Sequence, residues 1–274
     1  MNEIEEILKK RIVYEVNNMK SVDVNRNIVY KNTNDMKLKM DIYMPLEFDN
    51  NLKYPAVILV HGDGPAEILE NIKDSGQYVS LGQLIAASGL IAVTFNHRSS
   101  YRLTRMRDVG DDIEDAIEYV KENAERLNIN KDMVGLWALS AGVPYGVSVV
   151  LKNRQLNIKC LVSYYGYLDL QHRKEEFSED ITYEKLKEFS PLAYLINVKN
   201  EFPSLFIARA GLDHPVINRS IDNFIYKLLE LNIDFDLYNH SNGEHGFDIY
   251  NDSIRTCEII KLTIEFLRKH LGVA

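Results

Sequence analysis

The chain has 274 residues, of which 46% are hydrophobic and 26% charged, with a formal net charge of −8. This balance fits a folded globular domain and excludes a disordered chain. The acidic excess argues against a nucleic-acid partner, which would need a basic face, and no apolar run approaches the ~20 residues of a membrane helix.

The first residues place Glu3, Glu5 and Glu6 where a secretory leader would have a basic end and an apolar stretch, so a cytoplasmic location is expected. Ile4, Ile7, Leu8, Ile12 and Val16 recur at helical spacing and predict an amphipathic helix within residues 1–20. Such a helix could pack on the body or allow a homodimer. Residues 22–24, 27–30 and 38–44 alternate in polarity like antiparallel strands with one wet face. After Pro45 the runs at 56–60, 91–95, 134–138, 158–162 and 204–208 are apolar throughout, as expected of strands covered on both faces. Between them lie helical stripes, one through Val109, Ile113, Ala116, Ile117, Val120, Ala124 and Leu127, another through Cys257, Ile260, Ile264 and Leu267. The alternation predicts an α/β fold with a mostly parallel sheet, an antiparallel N-terminal part and helices on both faces. No linker divides it, so residues 1–274 are expected to form a single domain. The two cysteines, Cys160 and Cys257, show no metal-ligand spacing.

In such sheets reactive groups gather beyond the carboxyl ends of the strands. Ser140 follows the run at 134–138, flanked by Ala138, Ala141 and Gly142, and a helix-compatible stretch follows at once. A strand passing to a helix through so short a turn forms a nucleophile elbow, whose helix start offers backbone N–H groups to an oxyanion. Asp213 lies in the loop after residues 204–208, and His245 lies between Gly243 and Gly246 after an alternating segment at 235–239. The order Ser, Asp, His is that of α/β-hydrolases. The chemistry needs these three types: histidine takes the proton from a weakly nucleophilic hydroxyl, and a carboxylate fixes the imidazole tautomer. His61, Gly62, Asp63 and Gly64 follow the first buried strand, where small residues let backbone N–H groups approach a substrate oxygen.

Other candidates compete. Asp169 could replace Asp213, and His240 and His214 are alternatives to His245, although His240 ends its strand early and His214 adjoins Asp213. Asp108, Asp111, Asp112, Glu114 and Asp115 fit a helix start better than a metal site. Arg98, Arg102, Arg105 and Arg107 fit either an anionic substrate or pairing with those acids. Tyr164, Tyr165 and Tyr167 fit packing or a pocket wall.

The chain resembles α/β-hydrolases, in particular small bacterial esterases grouped with dienelactone hydrolases, acetyl-xylan-type esterases and prolyl-oligopeptidase-like domains. The likeness covers residues 36 to 270 and rests on His61-Gly62, on Asn96, His97 and Arg98, on Trp137 through Gly142, on Ser190, Pro191 and Leu192, on Gly211 and Asp213, and on Glu244 through Phe247. The resemblance implies Ser140 as nucleophile, His245 as general base and acid, and Asp213 as its orienting carboxylate. It also implies an oxyanion hole built from the N–H of Ala141 with those of Asp63 or Gly64. Residues 166–200 correspond to a short cap-like insertion shaping the substrate pocket, which favours small or medium substrates. The implied function is a serine esterase acting on a small-molecule ester, with no cofactor and no metal. Asp63 departs from the usual third glycine and Ala138 from the first elbow glycine. A peptidase of the prolyl-oligopeptidase kind, or a non-catalytic binding protein with its oxyanion hole spoiled by Asp63, are the competing expectations.

Overall fold

Among the described residues, eight segments form one sheet: β1 (Val24–Asn32), β2 (Lys37–Tyr43), β3 (Tyr54–Val60), β4 (Ile91–Phe95), β5 (Ile129–Leu139), β6 (Cys160–Tyr164), β7 (Ser204–Ala210) and β8 (Asp236–His240). The computed structural model describes residues 3–34, 36–171, 181–198 and 202–273. The strand order is β1-β2-β4-β3-β5-β6-β7-β8. β1 pairs antiparallel with β2 and β2 with β4, and every later pairing is parallel. The fold class is therefore the one that the pattern of alternating and continuous apolar runs predicts.

Among the described residues, the α-helices that accompany the sheet are α1 (Glu3–Lys9), α2 (Ala66–Leu69), α3 (Gly76–Ala87), α4 (Met106–Glu122), α5 (Val143–Lys152), α6 (Tyr183–Glu188), α7 (Leu195–Val198), α8 (Pro215–Glu230), α9 (Phe247–Tyr250) and α10 (Ile254–His270). α4, α5 and α8 cover one face and α3 and α10 the other. Alternate strand residues feed these two cores. In β3, Ala56, Ile58 and Val60 join the first, with Ile113, Val147 and Ile221, while Val57 and Leu59 join the second, with Leu81 and Ile260. Leu136 and Ala138 of β5 likewise oppose Trp137 and Leu139. Burial on both faces is the physical reason these strands read as unbroken apolar runs.

The N-terminal helix is shorter than its periodicity predicts. It ends at Lys9, and residues 10–18 run on without regular structure. The Ile12 N–H donates to Ser80 Oγ (3.0 Å) and the Val13 N–H to the Asp248 carbonyl (2.8 Å), while Arg11 reaches Gln83 (2.7 Å). A Cβ on Gly76 would lie 2.4 Å from the Lys9 carbonyl oxygen, so the segment lies directly on the start of α3. Tertiary hydrogen bonds thus replace the helical ones that Ile12 and Val13 would have made. Residues 27–30 fall within β1, which takes in only Val24 of the stretch 22–24 that reads as a separate strand.

Of the predicted cap, α6, α7 and a 3-10 turn over Pro191–Tyr194 are described. Leu186 and Leu195 are buried in the first core. The charged stretch beginning at His172 lies outside the described residues. Cys160 is buried, Cys257 is partly exposed, and both are free thiols.

The acidic start of α4 is a structural anchor. Asp112 has no exposed surface and receives two bonds of 2.8 Å from the Arg98 guanidinium, one of 3.0 Å from the Arg98 N–H and a 2.7 Å ion pair from Lys31. Burial by itself would raise the Asp112 carboxyl, but Arg98 and Lys31 hold it below the usual carboxylate range. The depressed folded value means that Asp112 contributes stability above its unfolded pKa of about 3.9, lost as pH falls through the folded value. Arg98→Ala, leaving that carboxylate buried with less compensation, is expected to cost about 3–5 kcal/mol in urea unfolding at pH 7. Arg107 pairs with Glu188 (3.0 Å), and the Arg105 guanidinium sits over the Tyr101 ring (4.8 Å) beside a cavity of about 330 Å³ that Lys37, Lys39 and Ser99 also line.

Candidate active site

Leu139 keeps strand geometry (φ −122°, ψ 141°), and Ser140 then turns left-handed at φ 53° before a 3-10 turn leads into α5. A non-glycine residue in this region carries strain of order 1–3 kcal/mol, tolerated only where the surroundings enforce it. The enforcement is tight: a Cβ on Gly142 would stand 2.2 Å from the His61 carbonyl oxygen. Only a glycine lets the elbow and the loop after β3 approach so closely.

The Ser140 hydroxyl lies 2.7 Å from His245 Nε2, and His245 Nδ1 lies 2.8 Å from Asp213 Oδ2. The imidazole side chain is 41% exposed and the carboxylate side chain 3%, so one end of this chain is open to a ligand and the other is sheltered. The second Asp213 oxygen accepts the His214 N–H (2.7 Å). Two backbone bonds stitch the acid's loop to the histidine's: Gly211 N–H to the His240 carbonyl (2.8 Å) and Leu212 N–H to the Gly243 carbonyl (2.9 Å). The adjacency of β7 and β8 makes this possible.

The rival residues are engaged elsewhere. Asp169 Oδ1 accepts from the Ser190 hydroxyl (2.7 Å) and the Gln171 N–H (3.0 Å). His240 Nε2 meets the Thr256 hydroxyl (3.0 Å), and His214 caps α8 through Val216 (3.4 Å). Tyr165 is the one of the three tyrosines whose ring meets the imidazole of His245, edge-on at 4.9 Å between centroids.

Around the predicted oxyanion hole the structure is more selective than the sequence. The Asp63 carboxylate turns to the loop after β4: Oδ1 accepts the Ser100 N–H (3.0 Å) and Oδ2 accepts from the Ser100 hydroxyl. Oδ1 also accepts the Gly64 N–H (2.9 Å). Gly64 thus spends its N–H on the carboxylate of the residue before it. Among the described residues, no backbone acceptor outside the helices and strands pairs with the N–H of Asp63, while Ala141 lies in the 3-10 turn just after the serine. A Cβ on Gly62 would stand 3.4 Å from the Ser140 Cβ, so this loop borders the serine directly. The loop is braced by His61, stacked on His97 (3.6 Å between centroids) and accepting the His97 N–H at Nε2 (3.0 Å). Burial, reinforced by His97, keeps the His61 imidazole well below its ordinary pKa and hence neutral. Ser100, which turns the Asp63 carboxylate aside, escaped sequence reasoning because nothing in residues 61–64 points to a partner so far along the chain.

The BD-FAE family model matches residues 40–221, well over half of the chain. The chain belongs to the BD-FAE family. Asp63, Ser140 and Asp213 fall inside the BD-FAE match, and His245 lies beyond it. Among curated proteins, none matches the chain. Solved structures similar to this BD-FAE protein include the native form of Est2, a thermophilic esterase from the Planctomycetes species Thermogutta terrifontis, with 19% identity, 92% of this chain and 93% of that chain covered, and a TM-score of 0.71. The apo form of that esterase is 18% identical over 93% of this chain and 97% of that chain, with a TM-score of 0.74. The propionate-bound form is 18% identical over 92% and 95%, at 0.72. At such identity the likeness establishes a shared α/β-hydrolase fold. Among the described residues no three His, Cys, Asp or Glu side chains converge as a metal site would require, and no helix is long and apolar enough to cross a membrane.

Proposed function

We propose that this BD-FAE protein is a serine hydrolase that cleaves carboxylic esters of small or medium substrates through an acyl-enzyme. The observation that carries this is the continuous chain of hydrogen bonds from Ser140 Oγ through His245 to Asp213, with its serine on a strained elbow. Ser140 Oγ attacks the ester carbonyl as its proton passes to His245 Nε2. The imidazolium is stabilised by Asp213 and then gives that proton to the departing alkoxide. Water repeats the sequence and releases the acid. The oxyanion is held by the N–H groups of Ala141 and Asp63, which flank Ser140, and the Asp63 carboxylate opposes this little because Ser100 holds it aside.

The structural relatives support the choice of chemistry. Est2 is described as an esterase, with propionate-bound and butyrate-bound forms and a form phosphonylated by cyclosarin. Short carboxylates are the kind of product that the proposed reaction would release. Purified protein is expected to hydrolyse p-nitrophenyl acetate and to gain one covalent fluorophosphonate adduct, located by peptide mass at Ser140. A folded protein that neither turns over the ester nor takes the label would sink the proposal.

A further inference from the structure

Asp248 lies three residues beyond His245, on α9, with no exposed surface. Each of its carboxylate oxygens faces a donor: Oδ1 accepts the Tyr165 hydroxyl (2.5 Å) and Oδ2 the Gln77 amide (2.7 Å). Gln77 also donates to the Tyr165 oxygen (3.2 Å), closing a three-membered network. Among the described residues no lysine or arginine pairs with Asp248. A buried carboxylate without a cation is costly to keep and is usually found where its charge is used. The group poised to become a cation beside it is His245, whose ring touches the ring of the same Tyr165. Burial pushes the Asp248 carboxyl above the usual carboxylate range, and its bonds from Tyr165 and Gln77 and the neighbouring His245 offset only part of that rise.

We propose that Asp248 is a second positioning carboxylate for His245: held by Tyr165 and Gln77, it favours the imidazolium that forms when Ser140 attacks. This rests on the assignment of Ser140 and His245 as reacting groups. Asp213 fixes the imidazole through a direct bond to Nδ1, whereas Asp248 acts through space and through the orientation of Tyr165. The other titratable groups facing Asp248 are phenols, Tyr78 on α3 and Tyr164 at the end of β6, together with Tyr165 itself. Burial, assisted by the Asp248 charge, pushes all three above the ordinary phenol range, so none competes as a second anion. Lys10 on the N-terminal segment sits over the Tyr250 ring (4.8 Å), and that segment ties to Asp248 through its backbone carbonyl instead.

The test compares wild type, Asp248→Asn and Tyr165→Phe as full-length proteins. Asp248→Asn is expected to lower kcat for p-nitrophenyl acetate by about tenfold or more, with KM changed less than about twofold. Removing a nearby anion destabilises the imidazolium, so the acid limb of the kcat/KM profile should move to lower pH by roughly half a unit or more. Tyr165→Phe keeps the ring against His245 but removes a donor that holds Asp248 ionised, and should move the limb the same way by less. NMR titration of the His245 imidazole provides the same shift without turnover. Should Asp248→Asn fail to fold, Tyr165→Phe decides. An unchanged acid limb and an unchanged His245 titration, even with a lowered Tm, would assign Asp248 a purely structural part and overturn the inference. Loss of ester hydrolysis and of fluorophosphonate labelling in wild type would instead overturn the hydrolase assignment, leaving the NMR comparison to judge Asp248.

Discussion

Ser140→Ala is expected to lower kcat/KM for p-nitrophenyl acetate by roughly five orders of magnitude. In the proposed mechanism the lost hydroxyl is the nucleophile itself, and neither His245 nor Asp213 can act on the ester without it. Rate above the uncatalysed level should survive in part, because the N–H groups of Ala141 and Asp63 and the binding surface remain. Stability should change by less than about 1 kcal/mol, since the Ser140 hydroxyl bonds to His245 on a partly exposed edge. Alanine meets the same left-handed backbone at φ 53°, so the elbow is strained equally in both proteins. Steady-state kinetics with a thermal unfolding curve separate these effects. A variant retaining the wild-type rate would remove Ser140 from the reaction.

Asp213→Asn should lower kcat by about 10³–10⁴-fold with little change in KM. Asparagine fits the same space, but its amide can present N–H groups to His245 Nδ1. The imidazole would then carry its proton on Nε2, pointing at the Ser140 oxygen from which it must accept one. Asp169→Asn is the matched control. Asp169 is tied to Ser190 and Gln171, so its loss should lower Tm and leave kcat within about threefold of wild type. If Asp169→Asn cost more activity than Asp213→Asn, the two acids would have to exchange roles.

These two acids illustrate how far local pattern reaches. Both Asp169 and Asp213 follow a buried strand in a turn-compatible loop, and nothing in either neighbourhood says which meets His245. The choice comes from strand order: β7 lies beside β8, and backbone bonds from Gly211 and Leu212 draw the Asp213 loop onto the residues just before His245. The Asp63 carboxylate was likewise ambiguous. Its direction is set by Ser100, a residue contributed by the neighbouring strand's loop, and the same carboxylate occupies the Gly64 N–H. Asp248 gives no signal in sequence at all, because its partners Gln77 and Tyr165 are 171 and 83 residues away along the chain.

By itself the sequence determined whatever depends on neighbours in the chain. Continuous apolar runs specify strands covered on both faces, polarity alternating before Pro45 specifies the antiparallel edge, and small residues around Ser140 specify an elbow between strand and helix. Tertiary structure alone decided where a non-local bond competes with a local preference. The periodicity of Ile4 through Val16 favours one helix, yet it stops at Lys9 because Ser80 and Asp248 offer acceptors to the N–H groups of Ile12 and Val13. Local patterns cannot register such partners, since their contribution depends on a fold that must already have brought distant residues together.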